Sequence, residues 1–133
     1  MNLPDTLRTY INDELYDYEC YRQLSGNAPD LESQQMLSDM ADGSMRHAEE
    51  FKIIYNGLTG EYYTPQITTT LQRRSYQDSL RDRALSDGRS YRRYMRHYNN
   101  RGIEDALLLS ALFGAGIDKN LNSIALLYLL SRF

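Results

Sequence analysis

The sequence predicts an all-α protein, an antiparallel four-helix bundle with a long crossover between its second and third helices. Apolar residues recur at steps of three and four along four separate stretches, and none of the four alternates as a strand would. Leu, Ala, Arg and Tyr dominate over β-branched residues, which favours helix over sheet. Three prolines and eight glycines are too few to cut the chain into many short pieces. At 133 residues and 15.5 kDa, one domain over residues 1–133 is expected, with enough chain to bury a core.

The first helix is expected to begin near Pro4, since proline is tolerated in a first turn and Asp5 suits the positive helix end. Leu7, Ile11, Glu14, Tyr18 and Tyr21 form its inward stripe, and the helix should run to about Leu24. Ser25 to Pro29, SGNAP, is the break. The second helix then spans about Asp30 to Gly57, with Met36, Met40, Gly43, His47, Phe51 and Ile54 on one face. His47 therefore points inward and needs a partner, because an unpaired buried polar group costs roughly 1 to 3 kcal/mol.

Asn56 to Thr70 holds two glycines, a proline and a run of threonines, and reads as the long connection. The third helix follows from about Leu71 or Tyr76 to Asn99, carrying Leu80, Ala84, Asp87, Tyr91, Tyr94 and Tyr98 inward. Asn99, Asn100 and Gly102 make a tight turn. The fourth helix turns Ala111, Ala115, Asp118, Lys119, Asn122, Leu126 and Leu129 inward and ends near Phe133.

Composition removes several function classes. A single cysteine, Cys20, excludes an intrachain disulfide and a rubredoxin-type iron centre, and has no catalytic partner in sequence. No apolar stretch follows the first charges, so no secretory signal is expected and a cytoplasmic location is expected. The most apolar segment, Ala106 to Leu130, is interrupted at Asp118, Lys119 and Asn120, which argues against a membrane span. Glycine-rich phosphate loops and a Gly-x-Ser-x-Gly turn are missing, leaving no support for nucleotide binding or serine hydrolysis.

Charge is unevenly distributed. Residues up to Glu61 carry four basic and twelve acidic side chains, and the remainder eleven basic and six acidic. The arginines of the third helix, Arg81, Arg83, Arg89, Arg92, Arg93 and Arg96 among them, are therefore expected to pair with the acidic first half. With a pI near 5.3, nucleic acid is not the expected partner. Leu107, Leu108, Leu109, Leu112, Phe113, Leu127, Tyr128 and Leu130 cover more of the fourth helix than one inward stripe requires, so a homo-oligomer is expected.

The two halves read as copies. Leu80, Ala84, Asp87, Tyr91 and Tyr94 fall on Leu7, Ile11, Glu14, Tyr18 and Tyr21; Ala115, Lys119, Asn122, Leu126 and Leu129 fall on Met40, Ser44, His47, Phe51 and Ile54. A carboxylate helix, an x-x-His helix, a second carboxylate helix and a fourth helix follow in the order of dimetal carboxylate bundles.

In this order and spacing the chain resembles the ferritin-like superfamily, closest to its rubrerythrin-like branch, over nearly its whole length. The resemblance implies metal-ligand positions at Glu14, His47 and Asp87. Ser44 and Lys119 stand where the family has glutamates, and Asn122 where it has a second histidine. Two divalent ions need several carboxylates, whereas Lys119 brings a positive charge. Lys119 is accordingly expected to act as a fixed cation between Glu14 and Asp87. Two functions follow from the resemblance. One is a ferritin-like protein without its dimetal oxidase or peroxidase centre, holding no cofactor and serving a structural, binding or assembly role. The alternative is a rubrerythrin-like oxidoreductase with an altered iron or manganese site, removing peroxide or oxidising iron. A single-metal site built from His47 with Asp39, Asp42 or Asp118 is a further arrangement the spacing allows. His97 is read as a half-exposed residue without a role.

Overall fold

A computed structural model describes residues 2–65, 71, 74–100 and 105–133. Four helices account for most of them: α1 (Leu3–Asn27), α2 (Leu31–Thr59), α3 (Tyr76–Asn100) and α4 (Ala106–Ser131), with no strand among the described residues. The starts are capped by side chains. Asn2 accepts from the Asp5 amide at 2.9 Å, Asp30 from Ser33 at 2.8 Å, and Asp105 from Leu107 and Leu108 at 3.0 and 3.2 Å. α1 continues past Gly26 and stops only when Pro29 forces Ala28 into extended backbone with ψ 145°. α2 closes on Gly60, whose φ of +73° is a left-handed conformation that side chains resist. Asn99 and Asn100 are helical, and Gly102 of the expected turn lies outside the described residues. The expected connection is helical as far as Thr59, and its residues 66–70 also lie outside those described.

The helices pack in pairs, α1 on α2 and α3 on α4. α2 also packs on α4, whereas the backbones of α1 and α3 stand further apart and are joined mainly by long side chains. Cross-helix contacts give the directions. Tyr10 reaches His97 at 2.7 Å and Arg83 reaches Asp17 at 2.6 Å, so α1 and α3 are antiparallel. His47 meets Asp118 while Asp30 meets Arg132, which makes α2 and α4 antiparallel too. Tyr98 packs on Phe113 and Tyr76 on Phe133 along α3 and α4.

The core is split. At one end Leu7, Ile11, Phe51, Tyr94 and Leu112 pack around Tyr10. At the other, Tyr21, Leu37, Leu80, Leu126 and Leu129 form a second apolar cluster. Glu14, Asp17, Ser44, His47, Asp87 and Lys119 are all buried, and they are tied to the two apolar groups by Tyr94 of the first and Tyr21 of the second. Of the surplus apolar residues of α4, Leu108 and Leu112 are buried, while Leu107, Phe113, Leu127 and Tyr128 face outward. No helix among the described residues is long and apolar enough to cross a membrane.

Candidate functional site

Lys119 is the centre of the buried polar group. An ammonium carries three donors, and its Nζ lies 2.7 Å from Glu14 Oε1, 2.8 Å from Asp17 Oδ2 and 3.2 Å from Ser44 Oγ. All three protons are thus used. The lysine comes from α4, the carboxylates from α1 and the serine from α2, so the charge is fixed by three helices at once. Burial opposes the charge, but Asp17, Glu14 and Asp87 around it outweigh that cost and hold the ammonium well above its ordinary pKa.

Each of the two carboxylates has a second partner. Glu14 Oε2 accepts from the Tyr94 hydroxyl at 2.6 Å, and its Oε1 lies 3.4 Å from His47 Nδ1. Burial would raise the Glu14 carboxyl, yet Lys119 and His47 hold it well below the usual carboxylate range. Asp17 Oδ1 accepts from Arg83 Nη1 at 2.6 Å. His47 Nε2 sits 2.7 Å from Asp118 Oδ2. Burial disfavours the imidazolium, and the carboxylates of Glu14 and Asp118 prevail to raise its pKa.

Asp87 behaves differently. It accepts from the Tyr21 hydroxyl through Oδ2, and its Oδ1, also buried, has no hydrogen-bond partner. Burial is the main cause that lifts its pKa to about 6, opposed by Lys119 and reinforced by Asp17. With Asp87 protonated, two carboxylates, Glu14 and Asp17, face two cations, Lys119 and Arg83.

The tyrosines obey the internal repeat. Tyr94 of α3 donates to Glu14 of α1, and Tyr21 of α1 donates to Asp87 of α3. Each carboxylate is thus served by the tyrosine seven positions beyond the other, an exchange that antiparallel, repeated helices produce. Burial and the adjoining carboxylates push both phenols well above their ordinary pKa, so they remain donors.

Several sequence expectations change. The Lys119 ammonium makes its contacts with Glu14 and Asp17, while Asp87, expected as its second carboxylate, bonds Tyr21 and acts on the ammonium through its charge alone. Asp17 was legible as the residue three after Glu14, one turn along the same face. The stripe drawn through Tyr18 hid it, and Tyr18 is only partly buried. Arg83, one of the third-helix arginines expected to pair with the acidic first half, does so with Asp17. Asn122 is not in the buried group; with Asp39, Gly43, Arg46 and Asp118 it lines a cleft of about 280 Å³ between α2 and α4. Of the carboxylates considered for a single metal, only Asp118 has a contact to His47 among the described pairs.

The donor set does not fit a pair of divalent ions. An ammonium already neutralises Glu14 and Asp17 at contact distance, and Ser44 and Lys119 supply no anionic ligand. No group of three or more His, Cys, Asp or Glu among the described residues is placed to hold a metal ion.

No family model matches the chain, and no solved structure matches it. It is similar to a curated Bacillus subtilis (strain 168) protein described as "Uncharacterized protein YhjR", at 31% identity over 62 residues. The match covers 47% of this chain and 43% of that relative.

Proposed function

We propose that this chain is a ferritin-like four-helix protein in which a lysine stands where related bundles hold metal, and that it serves a structural, binding or assembly role. The observation that carries this reading is the Lys119 ammonium bonded to Glu14, Asp17 and Ser44 inside the bundle. A cation that arrives with the polypeptide needs no loading, cannot dissociate and has no redox chemistry. It supports a permanent assembly scaffold better than a turnover site.

The topology also supports the ferritin-like reading. α1 and α2, α2 and α4, and α4 and α3 are antiparallel, so α2 and α3 run the same way. Ferritin-like folds join a parallel second and third helix by a long crossover, so this pair of directions supports the reading. The reciprocal Tyr94–Glu14 and Tyr21–Asp87 bonds support an origin by duplication of a helix pair.

Elemental analysis of protein purified without chelators or added metal tests the proposal, together with iron titration of the protein and of the Ser44→Glu, Lys119→Glu, Asn122→His triple variant. The unaltered protein is expected to carry less than stoichiometric iron or manganese, and the triple variant to gain iron binding. Two equivalents of iron in the unaltered protein, with peroxide turnover, would establish the oxidoreductase alternative instead.

A further inference from the structure

We infer that two copies of this chain pair through the outer face of α4, antiparallel and about a two-fold axis at the level of Lys119. The inference is independent of the interior site, because it uses the opposite side of the helix.

α4 buries Leu108, Ala111, Leu112, Ala115, Gly116, Lys119, Leu126 and Leu129 in the bundle. A second stripe runs down the other side at seven-residue spacing: Leu107, Gly114, Leu121 and Tyr128, with Ser110, Ile117, Ile124 and Ser131 between them. This is the a and d pattern of a helix seam. Leu107, Leu121, Ile124 and Tyr128 are between 46% and 66% exposed, as are the flanking Phe113 and Leu127. Scattered exposed leucines are ordinary, but six large ones on one helix face are not.

The charge pattern excludes most other occupants. From Ala106 to Leu130 the only charged residues are Asp118 and Lys119; Lys119 is in the core, and Asp118, at the α2/α4 cleft, is engaged by His47 and Arg46. The seam positions are uncharged, and the charges at its C-terminal margin are already engaged, Glu32 by the Tyr128 hydroxyl at 3.0 Å and Arg132 by Asp30 at 2.8 Å, which leaves a charged partner little to pair with. What it does offer is complementarity to itself. With two copies antiparallel about position 119, Ile117 faces the partner's Leu121, Gly114 faces the partner's Ile124, Ser110 faces the partner's Tyr128, and Leu107 faces the partner's Ser131. A small residue meets a large one at three of the four levels, the alternation that close-packed layers require, and the pairing is isologous, as a two-fold demands. A Cβ added at Gly114 would meet nothing within 4 Å in the single chain, so the notch that would receive Ile124 is open. At roughly 100 Å² for each half-exposed large side chain, the six contribute about 600 Å² per copy, most of the ~800 Å² per partner in a stable specific interface.

Sedimentation equilibrium at micromolar concentration should give twice the 15.5 kDa chain mass. Leu121→Glu, and separately Ile117→Glu, should weaken the dimer by about a hundredfold or more in Kd, since each places charge in the closed seam, while helical circular dichroism is retained. Register is read by oxidation in a Cys20→Ser background. Gly114→Cys combined with Ile124→Cys should form intermolecular disulfides, whereas Ile124→Cys alone should not link to itself. A monomeric unaltered protein, a dimer indifferent to both glutamates, or efficient self-linking by Ile124→Cys would each overturn the proposal. If a glutamate variant loses helicity, the disulfide pattern in the otherwise unaltered seam decides the question alone.

Discussion

Cutting Lys119 to alanine removes three contacts at once and leaves Glu14 and Asp17 facing each other inside the protein. Breaking a buried ionic pair by deleting one partner costs about 3 to 5 kcal/mol. The lower part of that range applies here, because Glu14 keeps Tyr94 at 2.6 Å and Asp17 keeps Arg83 at 2.6 Å. A chain of this size loses about 3 to 5 °C in Tm per kcal/mol, so a fall of about 10 to 15 °C is expected by thermal circular dichroism, with a matching drop in urea midpoint at constant slope. Double-mutant cycles then identify the partners. Lys119→Ala combined with Asp17→Asn should show coupling of about 1 to 3 kcal/mol, and so should its combination with Glu14→Gln. Asp87→Asn should couple much more weakly, since Asp87 bonds Tyr21 and is not within ion-pair distance of the ammonium. A Lys119→Ala loss within about 0.5 kcal/mol, the range of an exposed side chain, would refute the reasoning. Stronger coupling to Asp87 than to Asp17 would refute the geometry.

The Asp87 carboxyl, lifted from 3.8 to about 6, holds its proton in the folded state after the unfolded chain has released it. Stability should therefore fall by on the order of 3 kcal/mol as pH rises from about 4 through 6, and Asp87→Asn should abolish most of that fall and be neutral or stabilising at pH 8; urea melts across this range are the check, and a wild-type profile unchanged by the substitution would count against it. Glu14 contributes in the opposite sense: its lowered pKa gives stability that is complete above its ordinary 4.5 and lost as pH falls through the folded value. Tyr94→Phe strips a donor from buried Glu14 and should cost about 1 to 3 kcal/mol, whereas Tyr21→Phe should cost less below pH 6, where Asp87 is protonated and neutral. Equal costs at pH 5 would show that the two carboxyls share one protonation state.

The helices themselves were local properties. Four stripes at steps of three and four, an Asn or Asp cap before three of the helices and Pro29 after Ala28 act within a few residues, and sequence alone specifies them. Burial of Glu14, Ser44, His47, Asp87 and Lys119 was equally legible, because each lies on an apolar face whose period is set by its own helix. Partner choice was not. Whether Lys119 reaches Asp17 or Asp87 depends on the rotation and separation of α1 against α3 and α4, and rotating a helix by a fraction of a turn exchanges Tyr18 for Asp17 at the interior while leaving the sequence pattern equally regular. The same ambiguity placed Asn122 inward, when it lines the α2/α4 cleft instead. Periodicity says which arc of a helix is apolar to within a residue or so; hydrogen bonds require groups placed within about 3 Å, and only the packing of four helices on one another supplies that.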